Sequence, residues 1–205
     1  MGKTPIIYNK NSNLILLEGD IRLILKIERT ILNFLQHMSS ISSETKKYVV
    51  KLKNSTTKLL DTRKTTCGLR YLEKYATKMG GAINHRFGLF DEILIKDNHI
   101  KALGGITNTL KTLNGKKINY KIECDTLNQV RDCIVAGSTY ILLDNMSPNQ
   151  IKKIISCFGK KAKFEVSGGV NLKNIVKYSK VGANYISTSK ITLCSKSVDI
   201  SLDLI

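Results

Sequence analysis

The chain has 205 residues, 42% of them apolar and 24% charged, enough to bury one full core and too few for two enzyme-sized domains. Lysine and arginine number 33 against 16 acidic residues, a net charge of +17, yet the apolar content excludes a disordered polyelectrolyte. Runs such as 14–17 and 140–143 have only four apolar residues in a row, against roughly 20 for a membrane helix, and the opening MGKTPIIYNKNSN has no apolar signal core, so we expect a cytoplasmic protein with no membrane partner.

The first predicted element is a helix over 20–37, DIRLILKIERTILNFLQH. Asp20 is its cap candidate, Ile21, Leu25, Leu32 and Leu35 fall at helical spacing, and Ile24, Ile27 and Ile31 widen the stripe. That width predicts a well-buried helix. From about residue 47 short apolar runs ending on polar groups alternate with helical stretches, the pattern of repeated βα units. Seven strands are expected, ending in KLLDTRK (58–64), INHR (83–86), ILIKDNH (93–99), YKIECD (120–125), YILLDN (140–145), KFEVSGG (163–169) and YISTS (185–189). Charges at one end of a buried strand are costly unless that end opens to solvent or ligand. The C-terminal rim of a parallel α/β barrel satisfies this. Seven strands are one short of a closed eight, which leaves an open, incomplete TIM-like barrel or a missed strand.

Five cysteines, Cys67, Cys124, Cys133, Cys157 and Cys194, are odd in number and lack CxxC spacing; they read as reduced thiols. The 27 Lys are spread along the chain beside 25 Ile and 16 Asn. Compositional drift and anionic small substrates account for this better than a nucleic-acid groove. In a chain that writes cations as lysine, its six arginines mark places where a planar fork is needed for carboxylate or phosphate. Arg29, Arg63 and Arg86 stand out.

Several groups gather at the predicted rim. Arg63 and Lys64 follow one strand, with Thr62, Thr65 and Thr66 beside them; His85 and Arg86 end another; Lys96 ends a third. His99 is read as a structural hydrogen-bonder. Glu123 and Asp144 end neighbouring strands and could aim at one point, a pairing that suits a divalent cation held jointly with substrate oxygens. Ser167, Gly168 and Gly169 precede a helix expected near Leu172, where amides and the helix terminus favour a phosphate. The sum is a pocket for a polyanion with phosphate, a divalent metal and a small carboxylate-bearing partner.

ERTILNFLQ (28–36), DTRKTT (61–66), GLRYLEKYA (68–76), NHRFGL (84–89), LIKDNHI (94–100), LLDNMSP (142–148), EVSGG (165–169) and VDISL (198–202), in that order, resemble the nicotinate-nucleotide pyrophosphorylase family, also called quinolinate phosphoribosyltransferase (decarboxylating). The resemblance covers residues 16–205. It implies a barrel over 28–205, with 1–27 a remnant of and lead-in from an N-terminal domain that is largely missing. It implies reaction of quinolinate with phosphoribosyl pyrophosphate and Mg2+ to give nicotinate mononucleotide, pyrophosphate and CO2, in a homodimer. By similarity Arg63, His85, Arg86 and Lys96, with Arg29 from the neighbouring subunit, would hold the quinolinate carboxylates, and Thr62 and Lys64 would serve the pyrophosphate side. Glu123 and Asp144 would bind ribose hydroxyls and metal, and with Lys96 form the catalytic set. Ser167, Gly168, Gly169, Thr188, Ser189 and Lys190 would surround the ribose phosphate. The sequence departs from the pattern at Lys121, where the family has the first of two glutamates, at Ser189 and Lys190, where it has small residues, and at Leu193 and Cys194, where it has a His-Ser pair. The alternative is a non-catalytic, anion-binding barrel, or a subunit that needs a partner chain.

Overall fold

The structure, a computed structural model, describes residues 12–116 and 118–204. The opening residues 1–11, which carry most of the stretch searched above for a signal core, lie outside it. Among the described residues no helix is long and apolar enough to cross a membrane.

Helix α1 spans Ile21–Lys51, 31 residues. It begins where expected, with the Asp20 carboxylate accepting the Arg22 N–H at 2.8 Å. It runs well past the expected end at 37 because the polar stretch that follows carries no glycine or proline. Ser40 and Thr45 hydroxyls bond back to the carbonyls of Gln36 and Ile41 within the helix. Its burial also differs from expectation. Leu25 is 51% exposed and Ile21 44%, whereas the buried face is Leu32, Ser40, Ile41, Glu44, Thr45 and Tyr48. The first turns project beyond the surface that the rest of the described chain offers. The small residues of the second half let helix α2 (Arg70–Met79) approach closely. A Cβ on Gly80 would come within 2.5 Å of Thr45 Cβ and 2.6 Å of the Ser42 carbonyl.

Six strands form one all-parallel sheet: β1 (Lys58–Leu60), β2 (Leu94–Ile95), β3 (Lys121–Cys124), β4 (Tyr140–Asp144), β5 (Lys163–Ser167) and β6 (Tyr185–Ser187), in the order β1-β6-β5-β4-β3-β2. The seventh expected strand, INHR, contributes a single bridge, Ile83 to Leu60, on the free side of β1. No ladder joins that end to β2 among the described residues, so the barrel is open. Helices α3 (Asp97–Ala102), α4 (Ile106–Lys116), α5 (Leu127–Val135), α6 (Pro148–Phe158), α7 (Ile175–Ser179) and α8 (Lys190–Leu193) alternate with the strands.

Side chains alternate across a strand, and here the two faces differ sharply. Ile122, Cys124, Ile141, Leu143, Phe164, Val166 and Ile186 point outward into one core shared with Val130, Ile151, Ile154 and Ile175 of the helices. Full burial of such side chains stabilises the fold by roughly 1.5–3 kcal/mol each. The opposite face carries Lys121, Glu123, Tyr140, Asp144, Glu165, Ser167, Tyr185 and Ser187. The barrel interior therefore mixes these polar groups with the buried Leu60, Leu94 and Leu142, where such barrels ordinarily pack branched apolar layers.

Candidate active site at the strand ends

The best-defined corner of the site follows β1 and the Ile83 bridge. Asp61, fully buried, pairs with the equally buried Lys74 of α2 and also accepts from Thr77 Oγ1 at 2.8 Å, Asn84 Nδ2 at 2.6 Å and the His85 N–H at 2.7 Å. Lys74 donates to the His85 carbonyl at 2.7 Å and lies 4.9 Å from the Phe87 ring centre. Burial holds the Lys74 ammonium below its ordinary pKa, and Asp61 opposes that shift. These bonds fix the backbone on which His85 and Arg86 are mounted.

Arg86 is 6% exposed. Its Nη1 donates to the Glu92 carbonyl at 3.0 Å, while its Nε, like that of Arg63, is buried without a hydrogen-bond partner among the described residues. Burial, and then the neighbouring Arg63 charge, hold the Arg86 guanidinium below its usual pKa. Two guanidinium groups that repel each other, each with an unused buried donor, make a receptor for a fixed anion. The Arg63 charge thus lies close enough to Arg86 to be felt by it. His85 is at the same corner, but Nδ1 accepts the Arg86 N–H at 2.8 Å and Nε2 lies 3.4 Å from Glu165 Oε1. Both ring nitrogens face protein groups.

Across the rim, Lys96 Nζ is 3.8 Å from Glu123 Oε2. Burial pushes the Glu123 carboxyl above its ordinary pKa; Lys96 opposes this and Asp144 adds to it. Glu123 and Asp144 sit on the same face of neighbouring strands, two register positions apart. Asp144 accepts from Asn145 Nδ2 at 2.6 Å. His99 Nδ1 accepts the Lys96 N–H at 2.9 Å and caps α3, the structural use expected of it.

The Ser167–Gly168–Gly169 turn is a close backbone approach. Gly168 has φ +88°, and a Cβ there would lie 2.7 Å from the Asn145 amide nitrogen. The expected helix near Leu172 begins only at Ile175. Asn174 intervenes, its side chain accepting the Asn171 N–H at 2.8 Å and donating to the Gly169 carbonyl at 3.0 Å, so a side-chain-stabilised turn separates the glycines from the helix. Thr188 is buried and its hydroxyl donates to the Val170 carbonyl at 2.9 Å and accepts the Lys190 N–H at 3.2 Å. Ser189 is half-buried. Lys190 and Lys64 are exposed, and the Lys64 carbonyl accepts from Thr192 at 2.8 Å. The half-buried Thr62 takes the Lys64 N–H on its hydroxyl at 3.1 Å. Arg29 stands apart on the exposed half of α1, 4.0 Å from Glu28, with no bond to the rim. Among the described residues no cluster of three or more His, Cys, Asp or Glu side chains could hold a metal. All five cysteines are free.

The sequence model of the quinolinate phosphoribosyl transferase C-terminal domain matches residues 41–203. The chain belongs to the quinolinate phosphoribosyl transferase family. It is 41% identical over 191 residues to a probable nicotinate-nucleotide pyrophosphorylase [carboxylating] of Bacillus subtilis, covering 92% of this chain and 66% of the relative. With the corresponding protein of Methanocaldococcus jannaschii it shares 40% identity, over 94% of this chain and 72% of the other. The crystal structure of nicotinate-nucleotide pyrophosphorylase from Ehrlichia chaffeensis superposes with a TM-score of 0.85 at 43% identity, over 88% of this chain and 66% of that one. The chain thus spans about two thirds of the length of these relatives.

Within this family site, sequence reasoning missed the supporting groups Asp61, Lys74, Glu92, Tyr140 and Glu165. Asp61 and Glu165 had a visible signal, a lone carboxylate beside apolar residues of a strand. Lys74 had none, since it reads as one more lysine on a polar helix.

Proposed function

We propose that the chain carries a phosphoribosyl-transfer site that joins quinolinate to phosphoribosyl pyrophosphate with loss of CO2. The observation that carries this reading is the adjacent pair Arg63 and Arg86, each with an unpartnered buried Nε, opposite the Glu123–Asp144 pair. Two guanidinium forks, that of Arg86 fixed by its neighbours, suit a rigid aromatic diacid, with Lys96 completing the clamp. Glu123 and Asp144 supply hard oxygen donors, and two carboxylates plus substrate oxygens are what Mg2+ takes. When bound, the ion would neutralise charge on the pyrophosphate. Lys64 and Lys190 would face the phosphates, and the Gly168–Gly169 turn would admit the ribose phosphate close to backbone.

The ring nitrogen forms its bond to the sugar carbon as the carbon–oxygen bond to pyrophosphate breaks, and the electron pair leaves with pyrophosphate. The clustered cations stabilise that charge by preorganisation, and holding both anions in one pocket supplies the proximity. The ring nitrogen, now cationic, accepts the electrons released as the adjacent carboxylate leaves as CO2; the vacated ring carbon then takes up a proton. No protein nucleophile is required. The exposed apolar half of α1, with Leu23 and Leu25 at 58% and 51% exposure, supports a homodimer in which Arg29 reaches the neighbouring site. The deciding experiment is CO2 release from carboxyl-labelled quinolinate with phosphoribosyl pyrophosphate and magnesium. Release that Arg86→Ala abolishes is the expected result. No release from folded, dimeric protein would favour an anion-binding barrel without turnover.

A further inference from the structure

The barrel interior beneath Arg86 holds a buried set of charges that substrate binding and transfer do not use. Glu165 is fully buried; Tyr140 donates its hydroxyl to Oε2 at 2.8 Å, and Lys121 Nζ lies 3.9 Å from the same oxygen. Lys121 also pairs with Glu92 Oε2 at 2.8 Å and sits 4.2 Å from the Tyr140 ring centre. Oε1 of Glu165 is buried with no hydrogen-bond partner among the described residues, and His85 Nε2 faces it at 3.4 Å.

Since His85 Nδ1 accepts the Arg86 N–H, the proton of a neutral ring must sit on Nε2, the nitrogen that faces Glu165. A buried carboxylate without that donor would be costly. Two routes then lead from the interior to Arg86. One runs from Glu165 through the His85 ring to the Arg86 backbone. The other runs through Lys121 to Glu92, whose carbonyl receives Arg86 Nη1 at 3.0 Å.

We propose that Glu165 and Lys121 are positioning residues that fix the His85 tautomer and aim Arg86, and that His85 acts through Arg86 rather than as a direct ligand of substrate carboxylate. This rests on the reading of the rim as a quinolinate site. Lys121, which stands where the resemblance leads to a glutamate, brings a countercharge between the buried Glu165 and the partly exposed Glu92.

The test uses the full chain labelled with 15N-histidine and 15N-arginine. With only three histidines, His37→Gln and His99→Gln assign the imidazole signals, and Arg86→Lys assigns the Arg86 Nε–H. Wild type is expected to show His85 as a single Nε2–H tautomer and an Arg86 Nε–H slow to exchange. In Glu165→Leu both signatures should disappear, with the quinolinate Kd rising about tenfold, the value of one hydrogen bond to a charged group, and the phosphoribosyl pyrophosphate Kd unchanged. Glu165→Gln, which keeps an acceptor, should recover most of the loss.

A second arm does not depend on the Glu165 variants folding. His85→Asn keeps an acceptor at the Nδ1 position, whereas His85→Gln keeps a donor at the Nε2 position. Better quinolinate binding by His85→Asn supports positioning; better binding by His85→Gln overturns it in favour of direct contact. Unchanged tautomer and exchange in Glu165→Leu also overturn it. If wild type binds no quinolinate, the substrate reading falls, and the relay stands or falls on the two spectroscopic signatures alone.

Discussion

Arg86 is held at its backbone and at its guanidinium by groups that are themselves fixed, whereas the ammonium of Lys190, at the phosphate end of the same rim, has among the described residues only the Cys194 thiol, at 3.6 Å. Around Arg86, Asp61 holds the His85 N–H, Lys74 its carbonyl, His85 the Arg86 N–H, and the Glu92 carbonyl the guanidinium. Exposed lysines at the other end keep their rotamer freedom. The contrast matches the two kinds of anion. A planar ring with two carboxylates has one productive orientation, so fixed forks discriminate it; a phosphate is nearly isotropic and is met adequately by mobile point charges.

Breaking the rigid side at its root should give the largest effect. Asp61→Ala leaves Lys74 buried without a countercharge, and loss of one partner of such a pair costs about 3–5 kcal/mol. Urea unfolding midpoints would register this as a large drop, and a loss under about 1 kcal/mol would mean that water reaches Lys74. Next in size, Arg86→Ala removes a two-pronged contact and should weaken quinolinate binding about a hundredfold, with phosphoribosyl pyrophosphate affinity hardly altered in calorimetric titration. Equal losses for both ligands would dissolve the division between the two ends.

Much of the site could be read from sequence because each group ends a strand within a short run: Arg63 after LLDT, Arg86 after INH, Lys96 after ILI, Asp144 after ILL. Local context carries that information. What supports those groups is not local. Asp61 meets Lys74 across 13 positions and Glu165 meets His85 across 80, and nothing in either segment names its partner. The barrel class was readable from alternating runs, whereas the seventh strand shrank to the Ile83 bridge because its neighbours were tied to Asp61 rather than to a ladder. The stripe of helix α1 by itself predicts burial. Its stripe is real, but Ile21, Leu23 and Leu25 have no surface to meet within the described chain, and a sequence does not say whether an apolar face is covered by its own chain or by another.

Glu123 offers an intermediate test because it faces both ends. Its carboxyl is raised in the folded protein, by burial first and by Asp144 against the opposing Lys96. The folded state therefore holds its proton more tightly than the unfolded chain. The sign follows: Glu123 costs nothing below its unfolded pKa, the cost grows as pH rises from the unfolded pKa to the folded one, and it stays constant above that. Glu123→Gln should thus be more stable than wild type at neutral pH and indistinguishable near pH 3. Thermal melts across that range check it. Magnesium with phosphoribosyl pyrophosphate should raise the wild-type midpoint and leave Glu123→Gln nearly unmoved.

The smallest effect is expected at Lys190, and its smallness is the point. Its ammonium is exposed and its sole partner among the described residues is a thiol, so it contributes as a screened surface charge. Exposed charge pairs are worth about 0.2–1 kcal/mol, which corresponds to no more than about a fivefold rise in the phosphoribosyl pyrophosphate KM for Lys190→Ala. The loss should fade as salt rises, since screening already removes most of the interaction near physiological ionic strength. Arg86→Ala should keep most of its penalty in the same salt series, because its guanidinium is buried and its field is less screened. Parallel salt dependence of the two variants would contradict the division between a fixed and a mobile end. A loss at Lys190 as large as that at Arg86 would show that the phosphate end closes into an ordered site once substrate is bound.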